Sequence, residues 1–136
     1  MTMDKEARLL RFLLVEDDDD HAKIVTRSLD KERVANRIVR VKDGVEALLY
    51  LRGEEPFTES PPPDVILLDL KLPRKDGHEV LAEIKADPQL RTIPVVVLTT
   101  SDAEADRLRA YEQHANSYLV KPLDSGAFRR MVQELS

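Results

Sequence analysis

The stretch Val65-Ile66-Leu67-Leu68-Asp69 constrains the fold more than any other. Four aliphatic residues run without interruption into a carboxylate, and Pro61-Pro62-Pro63 bounds them upstream. An uninterrupted apolar run of this length predicts a strand buried on both faces, as in a parallel sheet. Asp69 falls at its carboxyl end, the edge where open parallel α/β sheets bind ligands. A single Asp after a single strand also reads as the start of a turn. The other strand ends bear on that choice.

Four further strands are predicted, and three of them end in a residue with a reactive head. Phe12-Leu13-Leu14-Val15 runs into Glu16-Asp17, and Val95-Val96-Val97-Leu98 stops at Thr99. Tyr118-Leu119-Val120 ends at Lys121-Pro122, while Ile38-Val39-Arg40-Val41 is more polar and reads as an edge. Helical spacing separates them. Asp18, Asp19 and Asp20 open a helix with Ala22, Val25 and Leu29 on one face. Asp43 and Asp76 each precede a Glu by three residues, the pattern of a capping box. The first of these helices shows Val45, Leu48 and Leu49, and the second shows Val80, Leu81 and Ile84 until Pro88 ends it. A fourth helix over residues 103–113 has a thin apolar face, mainly Leu108 and Tyr111. Asp124 caps a fifth with Phe128, Met131, Val132 and Leu135 at helical spacing.

Strands alternating with helices predict right-handed crossovers, a parallel sheet and helices on both faces, a doubly wound three-layer α/β sandwich. The chain has 136 residues, one domain's worth, with 42% hydrophobic and 35% charged residues. A lead-in over residues 1–9 and a single domain over residues 10–136 are expected. The formal charge of −5 argues against a nucleic-acid groove or an anionic membrane surface as the main partner. Arg11 interrupts the apolar segment at residues 9–15, so neither a signal peptide nor a membrane span is read there. Without Cys there are no thiolate zinc sites and no Cys nucleophile, and a cytoplasmic location is the expectation.

In a five-stranded doubly wound sheet the carboxyl ends share one edge. Glu16, Asp17, Asp69, Thr99 and Lys121 would then converge. Three acids at such close quarters need a cation, and oxygen donors without His or Cys suit Mg²⁺. A carboxylate nucleophile there can accept a phosphoryl group, with Lys121 and Thr99 around the transferred oxygens. The acidic run at residues 16–20 lacks the Gly and Glu of a calcium-binding EF-hand loop. Four Asp residues after the first strand would repel the phosphate of a flavin cofactor. His21 and His78 read as surface positions.

Leu14-Val15-Glu16-Asp17, Val65-Ile66-Leu67-Leu68-Asp69, Leu72-Pro73-x-x-Asp76-Gly77, Val97-Leu98-Thr99 and Tyr118-Leu119-Val120-Lys121-Pro122 resemble the receiver domains of two-component response regulators. The resemblance spans about residues 12–135. It implies a flavodoxin-like (βα)5 fold with strand order 2-1-3-4-5, the order known for that family. It implies Asp69 as phosphoacceptor, and Mg²⁺ held by Asp17, Asp69 and the backbone carbonyl of Lys71, with Glu16 acting mainly through water. Thr99 would bond the phosphoryl group and Lys121 would pair with it. Tyr118 would change exposure as Thr99 moves. Lys71 and Ser101 would flank the phosphoryl group, with Lys71 lengthening the phosphorylated lifetime. The Lys121-Pro122 bond would be cis.

The Glu16-Asp17 pair, the Pro-rich loop before the central strand and Ala115-Asn116-Ser117-Tyr118-Leu119-Val120-Lys121-Pro122 are similar to the stand-alone receivers that partner bacterial phytochromes. The implied function is that of a signalling switch without an output domain, phosphorylated by a sensor histidine kinase. The signal would leave through the face of the fourth helix, fifth strand and fifth helix, by homodimerisation or by docking to another protein. The alternative is an adaptor of the same fold that works without phosphorylation. His114 stands where the family has Gly, so a left-handed residue at the end of the fourth helix is expected.

Overall fold

In the computed structural model the described residues are 9–31, 36–100, 103–121 and 125–135. The strands are β1 (Leu10–Val15), β2 (Asn36–Val41), β3 (Val65–Leu68), β4 (Val95–Thr99) and β5 (Ser117–Val120). Between and after them lie α1 (Asp19–Lys31), α2 (Gly44–Arg52), α3 (Gly77–Ala86), α4 (Glu104–Glu112) and α5 (Ser125–Leu135). All strands are parallel, in the order β2-β1-β3-β4-β5. The expected topology is therefore the observed one. The first two strands begin two residues earlier than the apolar pattern suggested, because backbone pairing such as Leu10 with Asn36 continues past the apolar stretch.

The uninterrupted run in β3 is explained by two cores. Side chains alternate across a strand. Ile66 and Leu68 face a layer built with Leu48, Tyr50, Val80, Leu81, Ile84 and Ala110 of α2, α3 and α4. Val65 and Leu67 face the opposite layer, with Ala22, Val25 and Leu29 of α1 and Met131 of α5. All four β3 residues are buried. Truncating one such Leu to Ala typically costs about 2–5 kcal/mol.

Local chemistry sets the helix ends. Asp18 Oδ1 accepts from the amides of Asp20 and His21 at 2.9 and 3.1 Å, capping α1. Asp43 accepts from Glu46 N at 2.8 Å, and Glu46 in turn accepts from Lys42 N at 2.9 Å, one residue before the expected capping-box partner. Asp76 caps α3 through His78 N at 2.6 Å. The end of α4 is a Schellman motif: His114 has φ 68°, its amide donates to Tyr111 O, and Ala115 N donates to Ala110 O. Tyr50 Oη donates to Pro61 O at 2.9 Å and meets Phe57 edge-on, which ties down the loop between α2 and β3. That loop contains a cis Glu55-Pro56 bond.

Three expectations about faces are corrected. The buried face of α2 is Ala47, Leu48 and Tyr50, with Val45 and Leu49 only half-buried; Tyr50 is drawn inward by its hydrogen bond to Pro61 O and its contact with Phe57. In α4 Leu108 and Tyr111 are exposed and Ala110 is the buried residue. His78 is buried, not superficial. Its Nδ1 lies 3.0 Å from Gln113 Oε1, Gln113 Nε2 donates to His78 O at 3.3 Å, and its Nε2 faces Asp106 Oδ1 at 3.5 Å. This clasp joins the start of α3 to α4, a long-range pairing that no local spacing encodes. Asp124, Ser101 and Pro122 lie outside the described residues, as do the side chains of Phe128, Val132 and Leu135.

Gly77 fixes the approach of α3 to the end of β3. Its amide donates to Leu70 O at 2.9 Å, and a Cβ here would stand 2.3 Å from the Asp69 carbonyl oxygen and 2.5 Å from Leu70 Cα. Backbone atoms cannot yield as a side-chain tip can. Gly77→Ala is expected to destabilise the fold by about 1–3 kcal/mol, as overpacking does. Urea denaturation measures it, and a change within error would refute the stated contact.

Candidate phosphoryl-transfer site

The backbone ladder carries the polar residues one position past the strands. Glu16 N donates to Val41 O at 3.0 Å, Asp69 N to Val15 O at 3.1 Å, and Lys121 N to Thr99 O at 2.8 Å. Each reactive side chain is thus mounted on the last rung of a buried sheet. Glu16, Asp69, Thr99 and Lys121 are all buried, whereas Asp17 is exposed at the rim.

The structure brings together residues far apart in sequence. Lys121 Nζ hydrogen-bonds Glu16 Oε1 and lies 3.3 Å from Asp69 Oδ2. One carboxylate oxygen each from Glu16, Asp17 and Asp69 lies within 4.8 Å of the others. Thr99 ends β4 on the same edge and is fully buried. Lys71 is exposed, and its amide reaches Asp69 Oδ1 at 3.3 Å. Tyr118 is buried, with the Arg107 guanidinium 5.3 Å from its ring centre and Tyr111 beside it at 6.5 Å.

Burial pushes the Glu16 carboxyl above its ordinary range; the Lys121 hydrogen bond pulls it back and the charge of Asp69 pushes it further up. By contrast, Asp18 is held below the usual carboxylate range, chiefly by the His21 backbone amide it accepts from. Asp19 is lowered too, first by its hydrogen bond with Arg40.

Two residues here were missed by sequence reading. Arg40 reaches from β2: its Nε donates to Glu16 O at 2.9 Å and a terminal nitrogen bonds Asp19 Oδ1 at 2.7 Å. An isolated Arg in an edge strand gives no hint of this. His21 is only half-exposed, and its Nδ1 lies 3.0 Å from Lys121 Nζ. Its place four residues beyond Asp17, on the first turn of α1, was the available signal.

The family described as response regulator receiver domain matches residues 12–133. The probable methanogenesis regulatory protein FilR2 of Methanothrix harundinacea is 49% identical over 123 residues, covering 90% of this chain and 79% of that protein. Response regulator Rcp1 of Synechocystis is 45% identical over 121 residues, covering 89% and 82%; its Mn²⁺-bound structure aligns with a TM-score of 0.80 at 43% identity, covering 93% and 91%. The phosphorylated cyanobacterial phytochrome response regulator RcpA aligns with a TM-score of 0.82 at 42% identity, covering 94% of this chain and 91% of that one. Among the described residues no helix is long and apolar enough to cross a membrane. A match that runs through nearly all of the chain, with relatives this close, means that the protein belongs to the response regulator receiver domain family.

Proposed function

We propose that Asp69 accepts a phosphoryl group from the phosphohistidine of a sensor histidine kinase. The observation that carries this reading is Lys121 Nζ, placed by β5 within reach of both Asp69 on β3 and Glu16 on β1. An Asp69 carboxylate oxygen attacks phosphorus. The O–P bond forms as the N–P bond breaks, and the electron pair returns to the imidazole, which takes a proton from solvent. Lys121 offers an N–H to the transferred oxygens and Thr99 is the hydroxyl on the same edge; positioning and charge carry the step. The same groups face the acyl phosphate when water later hydrolyses it. Lys71, at the exposed side of Asp69, hinders that water.

The donor set fits a hard divalent cation, with oxygen ligands at close mutual distance and no soft donor among them. Asp17, Asp69 and the Lys71 carbonyl would hold Mg²⁺ directly and Glu16 through water. When bound, the ion supplies positive charge against the phosphoryl oxygens. The kinase is of the phytochrome type, in line with the likeness to RcpA, and the reaction is cytoplasmic. The response leaves through α4, β5 and α5. On this face Leu108 and Tyr111 are exposed and Tyr118 is buried under Arg107, a surface for a partner or a second copy.

Incubation with acetyl phosphate and Mg²⁺ should label the protein, and Asp69→Asn or removal of Mg²⁺ should abolish the label. Label retained by Asp69→Asn would overturn the assignment, and no label from either acetyl phosphate or a phosphorylated kinase would favour the silent adaptor.

Mg²⁺ at ten times its Kd should stabilise the fold by about 1.4 kcal/mol, raising Tm by about 5 °C. A melting curve unmoved by Mg²⁺ would count against the site.

Without metal, Glu16 binds its proton more tightly folded than unfolded. Its contribution to stability is therefore complete below the ordinary carboxyl pKa near 4.5 and lost as pH rises through the higher folded value. In urea titrations Glu16→Gln should gain on the wild type as pH rises over that window. A stability difference that stays flat or falls would refute the shift.

A further inference from the structure

We propose that His21 is a positioning residue for Lys121, holding its ammonium aimed at Asp69. This rests on Asp69 and Lys121 acting as described above. An ammonium has three N–H donors and no acceptor. At Lys121 the acceptors around it are Glu16 Oε1, His21 Nδ1 at 3.0 Å and Asp69 Oδ2 at 3.3 Å. Glu16 and His21 thus hold two directions, and the third points at the acceptor carboxylate. The bond to Asp69 is the loose one, free to move to a phosphoryl oxygen once one arrives.

The backbone that bears the imidazole is itself held in place. Asp18 caps α1 through the His21 amide at 3.1 Å, so the ring projects from the first turn over the strand edge. An Nδ1 that accepts from the ammonium carries the ring proton on Nε2. A cavity of about 160 Å³ lies alongside, lined by His21, Ile24, Thr100 and Lys121. Without the ring that space grows, and a four-carbon stem can swing its charged head into it, away from Asp69. Misplacement of a catalytic group by about 1 Å can lower a rate as much as a hundredfold.

The test uses acetyl phosphate and Mg²⁺, which removes kinase docking from the comparison. His21→Ala should lower the maximal phosphorylation rate roughly tenfold with little change in the donor concentration at half-saturation. His21→Asn, whose amide oxygen can stand where Nδ1 accepts, should restore most of that rate. In a Lys121→Ala background, His21→Ala should have no further effect. Imidazole ¹⁵N shifts of the unmodified protein should report the Nε2–H tautomer with Nδ1 accepting. A wild-type rate in His21→Ala, equal loss in His21→Asn, a persisting effect without Lys121, or an Nδ1–H tautomer would each overturn the proposal. Failure of the underlying site reads differently: Asp69→Asn would still be labelled.

Discussion

A lysine ammonium buried against two carboxylates is the arrangement that the rest of this molecule has to maintain. Such a cluster contributes little to stability, because desolvating the charges offsets most of their attraction. Removing one member is worse, since it leaves an uncompensated charge inside. The raised Glu16 carboxyl shows the strain of that burial even with Lys121 bonded to it. The favourable free energy of the fold must come from elsewhere. It comes from the two apolar layers that cover β3 on both sides.

That division of labour explains the shape of the sequence. Apolar residues fill the strands because both faces are covered, and charge appears only where the ladder runs out. The position of Lys121 therefore depends on hydrogen bonds such as Lys121 N to Thr99 O, which continue β-pairing to the rim. Gly77 has the same purpose on the other side of Asp69. Its missing side chain lets α3 close onto the backbone that carries Asp69. Rigid mounting of this kind suits a reaction in which little covalent work is asked of the protein and geometry supplies the rate.

How far the sequence revealed this depends on the range of each interaction. The strand order, the convergence of Glu16, Asp69, Thr99 and Lys121 and the left-handed His114 were all legible, because alternation, spacing and the resemblance to a receiver domain report on them. The facing of α2 and α4 was not. Periodicity marks which residues share a stripe, but the choice between nearby stripes is made by packing, and Ala110 is small enough to be the one that enters the core. His21, Arg40 and His78 were misread or passed over for a related reason. A polar side chain looks superficial until its partner is known, and those partners lie 100, 24 and 35 residues away.

The contrast between α4 and its neighbours follows from the same physics. Its cap residue is Ala103, which makes no side-chain cap hydrogen bond, and Ala110 is the buried residue the helix contributes. At its far end it is better secured, by the Schellman turn at His114 and by the two-way hydrogen bonding between His78 and Gln113. A helix with little apolar anchorage and one firm end is cheap to reorient about that end. Tyr118 sits under it, with Arg107 over the ring, so a shift of α4 necessarily changes the cover of Tyr118. Thr99 pairs with Val120 in the register, and its carbonyl accepts from the Lys121 amide. A displacement at the end of β4 thus reaches β5 directly. Helix α4, with Ala110 as its buried residue and no side-chain cap bond, is the one that carries the exposed Leu108 and Tyr111. Low stability is placed where movement has a consequence, and the apolar layers around β3 keep it from spreading.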